Sequence, residues 1–208
     1  MNLPFYYKNG KFNIHMPIDS IPNSLKTQGL LTAQKLRNRL GVSQPTLSRL
    51  VKSGSLRRFS HGLYAHPDCA VPPEEIDFAV ACARFAPTSA IGGLSALFHY
   101  GLLDQPPHQI WVVILPQKSD HNDFYRTLRT KTSPKYGIDV FKFYRMTNIE
   151  RTLLEALKFA PKIGPRIAIS AARMALQKGL TTEKKLGEMA KKLKLKSVLE
   201  KYWEAIVI

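Results

Sequence analysis

Residues 32–65 read TAQKLRNRLGVSQPTLSRLVKSGSLRRFSHGLYA, and the architecture of the amino-terminal third can be built from them. Thr32 stands where an N-cap belongs ahead of Ala33–Leu40, and Gly41 stands where a helix stops. Ser43 caps a second segment, Gln44–Lys52, with Pro45 in the first turn, where its missing N–H costs nothing. Two helices separated by a short Gly-containing turn form a helix-turn-helix. At helical period Leu47, Leu50 and Val51 share one face and can pack on Leu36, Leu40 and Val42. The opposite face holds Gln44, Ser48, Arg49 and Lys52, with Thr46 beside its start, and it contains no acid. These side chains can donate to or accept from base edges and phosphates. Next come Leu56-Arg57-Arg58-Phe59, Ser60-His61-Gly62 and Leu63-Tyr64-Ala65, apolar residues on both sides of a turn ending in glycine, as in a short β-hairpin. Directly after a recognition helix, such a hairpin is the wing of a winged helix.

Recognition helices contact bases mainly through their first residues, so Gln44, Thr46 and Ser48 are base-edge candidates. Arg49 suits a base or a phosphate, and Lys52 a phosphate. In the wing, Arg57, Arg58, Ser60 and His61 would lie against the sugar–phosphate backbone or the minor groove. The competing reading is a small stabilising hairpin whose arginines are merely solvated.

Charge placement supports the first reading. The chain of 208 residues has 31 Lys+Arg against 15 Asp+Glu, a formal charge of +16. Residues 1–70 hold ten bases and two acids, and no acid occurs in the 48 residues from Ser20 to Pro67, which carry eight of those bases. A solvated surface normally mixes signs; this one reads as a surface facing phosphates. A second run of lysines, Lys178, Lys184, Lys185, Lys191, Lys192, Lys194, Lys196 and Lys201, is interleaved with Glu183, Glu188, Glu200 and Glu204. It fits an ordinary solvated helical face, with an auxiliary surface for nucleic acid or an acidic partner as the alternative.

Three parts are expected: an arm (1–23) with an Asn9-Gly10 hairpin signal, a winged helix (24–68) opening on a short helical segment near Ser24–Gly29, and an α+β domain (74–208) beyond Pro72-Pro73. In the last, an apolar helix from Glu74 to Ala86 precedes a second through Ala90–Gly101. Ile110–Leu115 reads as a buried strand, Ile138–Phe143 as an alternating one, and Thr147-Asn148-Ile149-Glu150 as a capping box. Helices near Pro165–Gln177, Glu183–Leu193 and Leu195–Ile206 follow, so the fold class is α+β: a winged helix-turn-helix, then a mostly helical domain with a small sheet. No apolar run approaches the roughly 20 residues of a membrane span, and MNLPFYYKNGKFNIHM lacks a secretory pattern. With Cys69 and Cys82 as the two cysteines, a reducing cytoplasm is expected and a disulfide framework is not.

The winged helix ending in Arg57–Ala65 resembles the DNA-binding module of AbiEi-family antitoxins from bacterial type IV toxin–antitoxin systems. Ile91-Gly92-Gly93-Leu94-Ser95-Ala96-Leu97-Phe98-His99-Tyr100-Gly101-Leu102 leading into Trp111-Val112-Val113, and Glu150-Arg151-Thr152-Leu153-Leu154-Glu155 followed by helices, resemble the same family in the same order. The resemblance implies a repressor that binds its own promoter as double-stranded DNA. Its carboxy-terminal domain would oppose a nucleotidyltransferase-type toxin, with or without direct contact. One winged helix has a small footprint, so a homodimer or paired monomers on an inverted repeat would supply the rest, and the sequence does not choose between them.

Catalytic chemistry is hard to find. Gly92-Gly93-Leu94-Ser95 could suggest a nucleotidyltransferase phosphate turn, but no D-x-D pair accompanies it; two glycines admitting close helix packing is the better reading. Gly93-x-Ser95-x-Leu97 lacks the second glycine of a nucleophile elbow. His61, His66, Cys69 and Cys82 lack zinc-ligand spacing. No enzyme activity, cofactor or metal is therefore expected. The alternatives are a DNA-targeted nuclease or nucleotidyltransferase using the winged helix as a targeting arm, and a protein-interaction adaptor.

Overall fold

Thr32 and Ser43 start their helices as written. Thr32 Oγ1 accepts from the Lys35 N–H at 3.2 Å to open α1 (Ala33–Leu40), and Gly41, in the left-handed region at φ 63°, closes it. Ser43 Oγ accepts from the Thr46 N–H at 3.3 Å to open α2 (Gln44–Lys52). These elements belong to a computed structural model that describes residues 7–8, 11–12, 23–85, 88–116, 123–132 and 135–207. The chain forms two compact units, residues 1–84 and 85–208.

In the first unit, strands β1 (Tyr7–Lys8) and β2 (Lys11–Phe12) pair antiparallel; the Asn9-Gly10 turn itself and the remainder of the arm lie outside the described residues. The segment expected as a helix near Ser24–Gly29 is a 3-10 helix, Asn23–Gln28. The segment stops at a glycine with φ 66°, and the tighter form suits short connectors. A strand not foreseen, β3 (Leu31–Thr32), pairs with β5 (Leu63–Ala65), which pairs with β4 (Arg57–Ser60), in the order β3-β5-β4. Leu36, Leu40, Leu47, Leu50, Leu56 and Tyr64 form the core, Leu36 and Leu47 with no exposure at all. Fully burying such a leucine contributes about 1.5–3 kcal/mol. α3 (Ile76–Phe85) follows a 3-10 turn, Pro73–Glu75.

The second unit is built on a mixed sheet, order β8-β7-β6-β10-β9, of β6 (Ala90–Ile91), β7 (Ile110–Ile114), β8 (Tyr125–Arg129), β9 (Ile138–Val140) and β10 (Arg145–Thr147). Its helices are α4 (Gly93–His99), α5 (Ile149–Lys158), α6 (Ala160–Ile163), α7 (Pro165–Gln177), α8 (Glu183–Leu193) and α9 (Lys196–Val207), so the molecule is α+β. α5 packs against α4, α7, α8 and α9 and is the hub of the core.

Two local expectations change. Ala90–Ile91 is strand rather than helix, because Gly93 takes φ 53° and the chain turns there. A Cβ on Gly93 would stand 2.7 Å from the Trp111 ring, and one on Gly92 would strike Val113, so both glycines serve close approach to β7. The cap of α5 is Asn148, whose Oδ1 accepts from the Arg151 N–H at 3.0 Å; Thr147 sits one residue earlier in β10, its hydroxyl buried 2.7 Å from that of Thr152. Asparagine one residue closer to the helix takes over the capping role.

Candidate nucleic-acid interface

Burying Leu47 and Leu50 obliges the other side of α2 to face outward, and Gln44, Ser48, Arg49 and Lys52 are all exposed there. Thr46 is half-buried with its hydroxyl 2.9 Å from that of Ser43, so it strengthens the cap as well as flanking the face. Ser48 donates to the Gln44 carbonyl at 3.3 Å, leaving its oxygen free to accept. Gln44 is held by a long contact, 3.5 Å, from its amide nitrogen to the Tyr64 hydroxyl.

That contact joins the helix to the wing. Tyr64 on β5 stands opposite Arg58 on β4, and directly opposed residues of an antiparallel pair share a sheet face. Gln44, Tyr64 and Arg58 therefore lie on one side of the hairpin. Arg58 is braced by its own turn: Nε donates to the Ser60 carbonyl at 3.4 Å and a terminal nitrogen lies 3.1 Å from His61 Nδ1. Arg57 points to the other face, its guanidinium 4.7 Å from the Phe59 ring centroid, a cation–π arrangement. Both arginines and His61 are exposed. Ser60 differs: its Oγ is buried and has no hydrogen-bond partner, so among the nine residues singled out it is the one whose hydroxyl turns inward. Gly62 holds φ 76° at the tip, a conformation that favours glycine.

The electrostatics follow from the acid-free window. Arg49, Lys52, Arg57 and Arg58 form no ion pair among the described residues, and the first acid beyond the window, Asp68, pairs with Lys26 at 3.2 Å. Clustered cations without counter-charges repel one another and attract polyanions. Sequence reasoning missed one contributor: Tyr64 ties α2 to the wing. Apart from it, Lys35, Asn38 and Arg39 on α1, with Gln28, line a shallow cavity of about 570 Å³. The basic count of the window contained Lys35 and Arg39; nothing in the sequence marked the cavity. Among the described residues no three His, Cys, Asp or Glu side chains gather into a group able to hold a metal ion, and no helix is long and apolar enough to cross a membrane.

No curated protein matches the chain. Among solved structures, the crystal structure of the RV2827C protein from Mycobacterium tuberculosis is similar in fold, with a TM-score of 0.55 and 14% identity over 86% of this chain and 75% of that one. A family model described as a transcriptional regulator, AbiEi antitoxin, matches residues 20–67, which are also the residues of the acid-free window. The match covers 48 of the 208 residues, so the likeness to AbiEi antitoxin transcriptional regulators is that of the amino-terminal segment alone.

Proposed function

We propose that the chain is a non-enzymatic repressor that binds its own promoter and serves as the antitoxin of a type IV toxin–antitoxin system. The observation that carries this reading is the exposed, acid-free polar face of α2 beside the braced arginines of the wing. In this reading α2 enters the major groove with Gln44 and Ser48 at base edges and Arg49 and Lys52 toward phosphate, while Arg57, Arg58 and His61 grip the backbone. The carboxy-terminal unit opposes a nucleotidyltransferase-type toxin.

Fluorescence anisotropy with duplex DNA from upstream of the gene tests it. Affinity should fall steeply with salt, with a log–log slope of about −0.9 per phosphate contact. Arg57→Ala/Arg58→Ala should weaken binding to every duplex and flatten the slope by about 1 per arginine, whereas Gln44→Ala should change base preference by about 1–3 kcal/mol. Undiminished affinity in the double arginine variant removes the wing from the interface. Co-expression with the neighbouring toxin gene separates the two activities: the same variant should lose repression and keep protecting the cell.

A further inference from the structure

The interface above makes no use of Lys35 and Arg39, the two cations of the cavity beside α1. Their neighbours in its lining are Gln28, Leu30, Leu31 and Asn38. Four residues apart, Lys35 and Arg39 share one face of the helix with Asn38 next to them, and all three are exposed. Like charges at this spacing repel. No acid lines the cavity, and neither cation forms an ion pair among the described residues.

Gln28 is the informative residue. It ends the 3-10 helix, just before Gly29 turns the chain at φ 66°. Its side-chain oxygen accepts from a terminal nitrogen of Arg39. Lys26, Arg151 and Lys196 are instead held by carboxylates, those of Asp68, Glu155 and Glu200. An amide in that place fixes the guanidinium and leaves its charge whole. The cavity is thus a concave surface with two uncompensated cations, one of them braced, and an apolar wall.

We propose that this cavity binds a phosphate group carried on a sugar. A phosphate presents several free oxygens around a tetrahedral centre, so Arg39, Lys35 and the Asn38 amide can donate to it together; a planar carboxylate suits one guanidinium fork. At about 570 Å³ the cavity has the size of a small-ligand site, which leaves room for the attached sugar against Leu30 and Leu31. Two sources carry this chemistry: a free nucleotide, and a strand of the duplex backbone.

The test uses the full-length protein with isotope-labelled arginine. Each Nε–H gives an NMR signal, and that of Arg39 is assigned by its loss in Arg39→Lys. Adenosine monophosphate should shift the Arg39 signal, whereas adenosine, and acetate at the same ionic strength, should leave it in place. Lys35→Gln should weaken nucleotide binding about tenfold. Gln28→Glu should abolish it without altering the circular dichroism, because a carboxylate there pairs with Arg39. Duplex DNA from upstream of the gene then assigns the source. If it displaces the nucleotide, and Lys35→Gln flattens its log–log salt slope by about 1, a backbone strand occupies the cavity. If nucleotide and duplex bind side by side, the ligand is a free nucleotide. No Arg39 shift with the nucleotide overturns the proposal, as does an equal response to acetate. So does undiminished nucleotide affinity in Gln28→Glu, and so does a nucleotide that moves Arg49, Arg57 and Arg58 in place of Arg39. A chain that failed to recognise its promoter would still answer to the nucleotide, so this site and the repressor reading fail separately.

Discussion

Helices α2 and α5 carry similar side chains and use them in opposite ways. α2 keeps Gln44, Ser48, Arg49 and Lys52 in solvent with no counter-charge. α5 buries Arg151 and Glu155 at 1% side-chain exposure each, with Arg151 Nε 3.1 Å and a terminal nitrogen 3.0 Å from the same carboxylate oxygen, and the other terminal nitrogen donating to the Tyr136 carbonyl at 2.7 Å. A charge paired inside the fold is committed to structure, whereas unpaired charges outside await a partner. Net charge alone does not separate the two cases; placement does.

The largest effect should come from breaking the inner pair. Arg151→Ala leaves the Glu155 carboxylate buried without its cation, and should cost about 3–5 kcal/mol in urea unfolding. Replacing both partners by apolar residues of similar size, Arg151→Met/Glu155→Leu, should recover most of that loss. A cost below about 1 kcal/mol for the single variant would mean the pair behaves as a surface salt bridge, and the contrast with α2 would fail.

Capping is where the two helices agree. Ser43→Ala and Asn148→Ala should each lower stability by about 1 kcal/mol, measured by thermal melts, since each removes one side-chain acceptor from a helix start. A much larger loss for Asn148 would show that α5 depends on its cap in a way α2 does not.

The smallest effect is a pH dependence confined to α5. Burial raises the Glu155 carboxyl above its ordinary 4.5, against the lowering effect of Arg151 and Lys158. The folded chain therefore holds this proton more firmly than the unfolded chain. The associated stability is complete below about pH 4.5 and is lost as pH rises through the raised folded value. The melting-temperature advantage of the native protein over Glu155→Gln should shrink across that window. An advantage that grows with pH would show that the ion pair outweighs burial.

Much of the amino-terminal unit was legible because its signals are local. Caps at Thr32 and Ser43, a stop at Gly41 and leucines at helical spacing fix α1 and α2 without knowledge of the rest of the chain. The second unit was half legible for the opposite reason. β6 has two residues and β10 three, too short to show a period, and each is held by its neighbours in the sheet, β6 between β7 and β10 and β10 between β6 and β9. β8 was hidden by its arginines, Arg126 and Arg129, on an edge strand that leaves them in solvent. At the candidate interface the outward face of α2 could be read from periodicity. The inward turn of the Ser60 hydroxyl could not, since it follows from a register shift between Arg58 and Ser60.

The pairing of β3 with β5 has a consequence for synthesis on the ribosome. The Ala33 N–H donates to the Gly62 carbonyl at 2.8 Å, and Leu31 and Thr32 pair with Tyr64 and Leu63, so the sheet that clasps the two helices is complete once Ala65 has emerged. The second sheet waits for Met146, which at typical elongation rates arrives roughly 4–16 s later. The head therefore has a period as a finished object on a nascent chain whose tail does not yet exist.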